Sequence, residues 1–220
     1  MCLLLATNAF SQRNRLKHEK WGITGKIGIS VFNGDVPKQN SSPLPPADLN
    51  IAVGAAIDYY FIPQAGFIVE YLYTPISANL PNFKFSGKVH GTALFASVNV
   101  LNIVNPQRRP TWNIFLNPGI GLSFYSSESI LSPNASPRKV ENQTCVTFPV
   151  EAALEYNFNN NWAVLWGVQY RYHNKDNFEA MRDKQGNSND GLYVTTISLK
   201  YKFHKRLRSS YGRNFGNYCL

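Results

Sequence analysis

Between residues 21 and 203 the chain alternates apolar and polar residues with period 2 in about eight stretches, separated by connections that run long, short, long, short. The clearest is 112–124. One series there is Trp112, Ile114, Leu116, Pro118, Ile120, Leu122 and Phe124, and the interleaved one is Asn113, Phe115, Asn117, Gly119, Gly121 and Ser123. Successive side chains of a β-strand point to opposite faces, so one face of this strand is oily and the other mostly small or polar.

The other strands follow the same rule. Strand one pairs Trp21, Ile23, Ile27, Ile29 and Val31 against Thr24, Lys26, Gly28 and Ser30; strand two pairs Leu49, Ile51, Val53, Ala55, Ile57, Tyr59 and Phe61 against Asn50, Ala52, Gly54, Ala56 and Asp58. Strand three has Phe67, Val69, Tyr71 and Tyr73 around Glu70. Strand six has Val146, Phe148, Val150, Ala152, Leu154, Tyr156 and Phe158 against Thr147, Pro149, Glu151, Ala153 and Glu155. Strand seven has Trp162, Val164, Trp166, Val168, Tyr170 and Tyr172 against Gln169 and Arg171, and strand eight has Thr195, Ile197, Leu199, Tyr201 and Phe203 against Thr196, Ser198, Lys200 and Lys202. Strand four, about 83–103, is irregular. Its oily series is read as Phe83, Phe85, Val89, Ala93 and Phe95, after which Val98 and Val100 change parity and call for a bulge near Ala96.

Alternation alone leaves open which face is inside. A soluble ligand-binding barrel of the lipocalin type would turn the oily series inward. Three features favour a membrane barrel. The spans suit tilted strands crossing hydrocarbon. Rings and phenols stand at many strand ends, as interfacial girdles require. The opposed series carries Lys26, Asp58, Glu70, Lys88, Glu151, Glu155, Arg171 and Lys200, both signs together, which a packed lumen satisfies by pairing. Tight turns are expected at 62–65, 105–111 and 159–161, and long polar loops at 35–48, 77–82, 126–144 and 174–191. The expected fold is all-β: an eight-stranded antiparallel transmembrane up-and-down barrel over 21–203 with both termini in the periplasm.

Composition agrees. Charged residues are 16% and aromatics 14% of the 220 residues, and no apolar run is long enough for a spanning helix. The net charge of +9 lies mostly in two tails: 12–20 holds +3 and 204–220 holds +4, leaving +2 for the barrel. That distribution offers no basic stripe with interleaved aromatics, so nucleic acid is not an expected partner. Residues 1–11 read as the back half of a secretory signal, with Ala9 and Ser11 preceding a cleavage site before Gln12.

The segments WGITGKIGIS, VEYLYTP, ASVNVLNI, WNIFLNPGIGLSFY, VEAALEYNFNNNWAVLWGVQYRYHNKDN and the terminal ISLKYKF together resemble the OmpA-type outer-membrane β-barrel family over about residues 20–203. The resemblance implies a structural protein of the Gram-negative outer membrane, with lipid, lipopolysaccharide and the barrel-assembly machinery as partners and no cofactor. It also implies that Ile197, Leu199, Tyr201 and Phe203 form the family's assembly signal. Members that attach to peptidoglycan continue into a periplasmic globule; here 204–220 follows as a basic tail, and attachment is expected only through a further domain.

Candidates for catalysis are sparse. His90 and His173 lack a matched nucleophile in the sequence, and a hydrolase would need a loop serine brought to His173, so no enzymatic activity is expected. The segment 183–190 is rich in Asp and Asn but lacks the residue order of a calcium loop. Asn134 and Asn142 open glycosylation sequons that carry little meaning in a bacterial barrel. Arg171 is expected to pair with Glu151 or Glu155 on the adjoining strand, either as mutual neutralisation or as the gate of a narrow pore. Cys145, expected at the outer end of strand six, and Cys219 in the tail are expected on opposite sides of the membrane and unbridged.

Overall fold

The computed structural model describes residues 20–33, 49–80, 83–105, 111–130, 138–174 and 191–203. The basic tails, the signal-like segment, Cys219 and the acidic loop 183–190 lie outside them. Eight strands run β1 (Trp21–Asn33), β2 (Asn50–Ile62), β3 (Ala65–Leu80), β4 (Phe83–Asn99), β5 (Trp112–Ile130), β6 (Arg138–Asn157), β7 (Trp162–His173) and β8 (Gly191–Lys202). Each pairs antiparallel with its sequence neighbour, and β8 closes on β1. We call the end where β1 begins and β8 finishes the terminal rim and the opposite end the distal rim.

The oily series faces outward. Ile23, Ile27, Ile51, Ile57, Val69, Leu116, Ile120, Trp166, Ile197 and Leu199 are all exposed, while the polar series lines the interior. A soluble barrel would have the reverse, so the lipocalin-type alternative is excluded. On β5 the apolar outward series runs from Trp112 to Phe124. Twelve steps at about 3.4 Å, tilted by about 40–45°, give an apolar band of about 30 Å, close to the thickness of a bilayer's hydrocarbon core. Cross-strand ring pairs mark the edges of this band. At the terminal rim these are Trp21–Tyr59 at 4.7 Å, Phe61–Phe67 at 5.7 Å, Trp112–Tyr156 at 4.7 Å and Trp162–Tyr201 at 4.9 Å between centroids. Toward the distal rim, Tyr170–Tyr193 at 4.7 Å and Tyr73–His90 at 4.9 Å take the same position.

Several expectations are corrected. The oily series of β4 is inverted: Val89, Ala93 and Phe95 are buried inside the barrel, and His90, Thr92 and Leu94 face out. Large apolar residues fill this part of the lumen, so hydropathy alone reads the strand backwards. No bulge is needed near Val98: with Ala93, Phe95, Ser97 and Asn99 inward, Val98 continues the outward series of Leu94 and Ala96 in unbroken register, and β4 is followed by a one-turn helix α1 (Val100–Val104). Asn99 caps it, its Oδ1 accepting from the Asn102 backbone N–H at 3.0 Å. The expected turn at 105–111 is not among the described tight turns, since 106–110 lie outside the described residues. The other two are: Pro63 and Gln64 close the β2–β3 hairpin, and Asn159 Oδ1 accepts from the backbone N–H groups of Asn161 and Trp162 at 2.8 and 2.7 Å.

Two segments expected as loops are largely strand. Residues 77–80 continue β3 and pair with β4 up to Leu80↔Phe83, and most of 126–144 is the paired distal part of β5 and β6. These four strands are 16, 17, 19 and 20 residues long, against 12 or 13 for β1, β2, β7 and β8. They rise past the distal girdle as a four-stranded wing on one side of the barrel. The wing's ladder shifts register between Tyr125 and Ser127, and Asn142 there adopts φ 50°. The extra residue turns Val140 inward against the apolar interior and Lys139 outward beside Glu128.

Candidate functional site: the filled lumen

The interior holds two ionic clusters below an apolar layer. Nearest the terminal rim, Lys200 Nζ lies 2.5 Å from Asp58 Oδ2 and 3.6 Å from Glu155 Oε2, and Lys202 Nζ lies 2.8 Å from Glu155 Oε1. Thr24 donates to Asp58 at 3.2 Å and Asn113 donates to Glu155 at 2.8 Å. The Lys200 ammonium also sits 4.9 Å from the centre of the Tyr60 ring.

Near mid-barrel, Lys26 bridges Glu70 at 2.5 Å and Glu151 at 2.6 Å, and Arg171 pairs with the other oxygen of Glu70. Gln169 Nε2 donates to Glu70 at 3.2 Å, Gln169 Oε1 accepts from Arg171 Nε at 2.9 Å, and Asn117 donates to Glu151 at 3.0 Å. Each cluster joins two cations to two carboxylates and is neutral. Pairing within each cluster is what makes burying these charges tolerable.

Arg171 does not pair with Glu151 or Glu155. Its neighbour on β6 is Pro149, Glu151 stands opposite Gln169 and is held by Lys26 from β1, and Glu155 is held by Lys200 and Lys202. The guanidinium instead crosses to Glu70 on β3, over Gly91, where an added Cβ would collide with it. Lys88 is not in the lumen at all: it is exposed on the outward face of β4, a consequence of that strand's inverted parity. Lys202, Gln169, Asn113, Asn117 and Gly91 complete the clusters and were not singled out from sequence. The polar inward series contained all of them except Gly91, whose role depends on the reach of a side chain from another strand.

Toward the distal rim the lumen is filled by Ala52, Leu72, Ile76, Val89, Tyr125, Cys145, Leu192 and Val194. Cys145 lies inside this layer, well within β6 rather than at its outer end. A cavity of about 20 Å³ between the ionic clusters, lined in part by Lys26, Asp58, Glu151 and Lys200, has room for a water or two. Ser123 Oγ and His173 Nε2 approach to 3.4 Å, but both side chains are buried in the lumen wall, where no substrate could reach them. His90 is on the opposite, outward face. Ile197, Leu199, Tyr201 and Phe203 all lie on the outward side of β8.

No family model matches the sequence, and no curated protein matches it. Solved structures do. Neisserial surface protein A is 17% identical with a TM-score of 0.52, over 83% of this chain and 97% of that one. Ail, the attachment invasion locus protein of Yersinia pestis, is 11% identical with a TM-score of 0.54, over 85% of this chain and 100% of that one. The outer membrane protein OprG of Pseudomonas aeruginosa is 13% identical with a TM-score of 0.51, over 87% and 100%. At such identities the likeness is one of fold, and the resemblance to OmpA-type barrels stands at that level.

Proposed function

We propose that this eight-stranded barrel of outer-membrane type is a structural, non-enzymatic protein of the outer membrane that supports envelope integrity and displays a surface to the medium. Its termini and α1 are on the periplasmic side. The observation that carries the reading is the wing. About six residues of each of β3–β6 continue past the girdle row of Tyr73, His90 and Phe124, an extension of about 20 Å along the strands. That stretch lies above the apolar band, on the side opposite the termini.

Among the described residues its two outer edges carry no further strand, and they are poorly suited to pairing. β3 loses its ladder to β2 beyond Tyr73 and carries Pro75 there, and β6 is unpaired with β7 before Thr147 and carries the bulge at Asn142. Proline and bulges are devices that discourage strand addition, so the wing offers its faces and tip rather than its edges. The barrel-assembly machinery is the expected reader of the outward series Ile197, Leu199, Tyr201 and Phe203, and any hold on peptidoglycan would come through a further domain. Among the described residues the two ionic clusters and the apolar layer fill the lumen, which favours this reading over a narrow gated pore.

Trypsin added to intact cells tests the topology. Cleavage at Arg182 and Lys184, between β7 and β8, is expected from outside, whereas Arg108, in the connection after α1, should be cut only once the outer membrane is permeabilised. The opposite order would overturn the orientation.

A further inference from the structure

Among the described side chains of the strands, Lys26, Lys139, Arg171, Lys200 and Lys202 each have a carboxylate within 4 Å. Lys88 does not. It is exposed on the outward face of β4, between Pro75 on β3 and Ser126 on β5, neither of which is acidic. One row toward mid-membrane on the same face is His90, directly opposite Tyr73 and Phe124. His90 is fixed in orientation: its Nδ1 is 2.8 Å from the Tyr71 hydroxyl and its ring is 4.9 Å from that of Tyr73. Tyr71 occupies Nδ1, so Nε2 is the ring nitrogen left to meet a ligand. Lys88 and His90 are two residues apart, so the ammonium and the imidazole stand about 7 Å apart at their backbones, on one face, at the distal edge of the apolar band.

We propose that this patch seats a phosphate of a phosphorylated glycolipid in the outer leaflet. Lys88 supplies the charge, His90 Nε2–H a directed hydrogen bond, and the rings of Tyr71, Tyr73 and Phe124 a surface for the upper acyl chains. The site is at headgroup depth, where an unpaired cation meets lipid phosphate rather than water alone. Filling it would complete the one cation among the described strand side chains that lacks a carboxylate within 4 Å. The inference rests on the outer-membrane placement proposed above.

The test uses the full chain folded into phosphatidylcholine nanodiscs that contain either diphosphoryl lipid A or the same lipid after phosphatase treatment, with native mass spectrometry counting the glycolipid retained. The wild type is expected to favour the phosphorylated form by about five- to tenfold. Lys88→Gln/His90→Gln should abolish the preference, Lys88→Arg should keep most of it, and Lys139→Gln on the wing should leave it unchanged. Excess inorganic phosphate should not displace the lipid. No preference in the wild type, an unaltered preference in the double variant, or full displacement by inorganic phosphate would each overturn the site. Failure of the chain to enter control phosphatidylcholine nanodiscs that lack glycolipid would instead remove the membrane placement and the site with it. Lys88 and His90 are both exposed, so the variants are expected to fold. Should the double variant not fold, Lys88→Glu alone is expected to lose the preference, and a preference kept in Lys88→Glu would overturn the site.

Discussion

Glu70 is the carboxylate on which the mid-barrel cluster turns. Its side chain is about 1% exposed, one oxygen held by Lys26 at 2.5 Å and the other by Arg171 and Gln169. Glu70→Gln keeps the volume and removes one negative charge. The cluster then holds two cations against one carboxylate: Glu151 stays with Lys26 at 2.6 Å and Asn117 at 3.0 Å, and Arg171 is left buried without a counter-charge. Breaking a buried pair from one side costs about 3–5 kcal/mol. Removing the cation as well, in Glu70→Gln/Arg171→Gln, restores neutrality with Lys26 and Glu151 still paired. The double variant is therefore expected to recover most of the loss, with a coupling of about 2 kcal/mol or more. Denaturant unfolding from lipid vesicles, followed by the emission of the four tryptophans, measures both quantities. A Glu70→Gln protein within about 1 kcal/mol of wild type, or a double variant whose loss equals the sum of the singles, would refute the argument that neutrality of the cluster is what stabilises it.

Ile197 is 62% exposed at mid-band whereas Phe203 is 51% exposed at the terminal girdle, so Ile197→Arg should cost about 2–4 kcal/mol in vesicle folding and Phe203→Arg about 0–1; equal costs would contradict the membrane frame. Cys145, about 2% exposed within the apolar layer, should resist a water-soluble maleimide in a Cys2→Ser/Cys219→Ser background until the barrel is unfolded, and rapid native labelling would show that the distal lumen is open. Arg171→Gln should leave planar bilayers at background conductance, as should the wild type, because Leu72, Tyr125 and Leu192 still close the distal half; large steady currents in the wild type would indicate a porin, and currents in the variant alone would indicate a gate.

Strand positions and the outward series of β1–β3 and β5–β8 were legible in the sequence because a lipid-facing surface must be apolar at every second residue, and that demand is local. What was not legible depended on elements far apart in the chain. The partner of Arg171 could not be read from its neighbouring strand because a lumen side chain can reach a strand several places round the barrel, and Glu70 is 101 residues away. The wing read as loop because Ser126, Ser127, Ser129, Asn142 and Gln143 are poor strand formers, yet they pair there because the strands below set their direction and spacing. The helix at 100–104 was absorbed into strand four, since Val100, Ile103 and Val104 continue an apolar pattern that is exposed at i, i+3 and i+4 rather than at alternate positions.

β4 shows what else holds a barrel in register once alternation is no longer informative. A slip by one residue exchanges the two faces of a strand, and it is normally forbidden because one face is oily and the other polar. On β4 that contrast is weak: Ala93 and Phe95 point in, and Thr92, Leu94 and Ala96 point out. Hydropathy would tolerate either phase. The observed one is selected by specific fits along the inner face. Gly91 leaves the space that Arg171 needs to reach Glu70, Ser97 Oγ lies 3.4 Å from the Tyr60 hydroxyl, and Asn99 donates to Asn113 at 2.7 Å. In the other phase a histidine or threonine side chain would occupy the position of Gly91, and the arginine would lose its route to Glu70. The ionic cluster therefore does more than neutralise its own members: it fixes the phase of the strand whose own pattern is ambiguous, and through that phase it puts Lys88 and His90 on the outside.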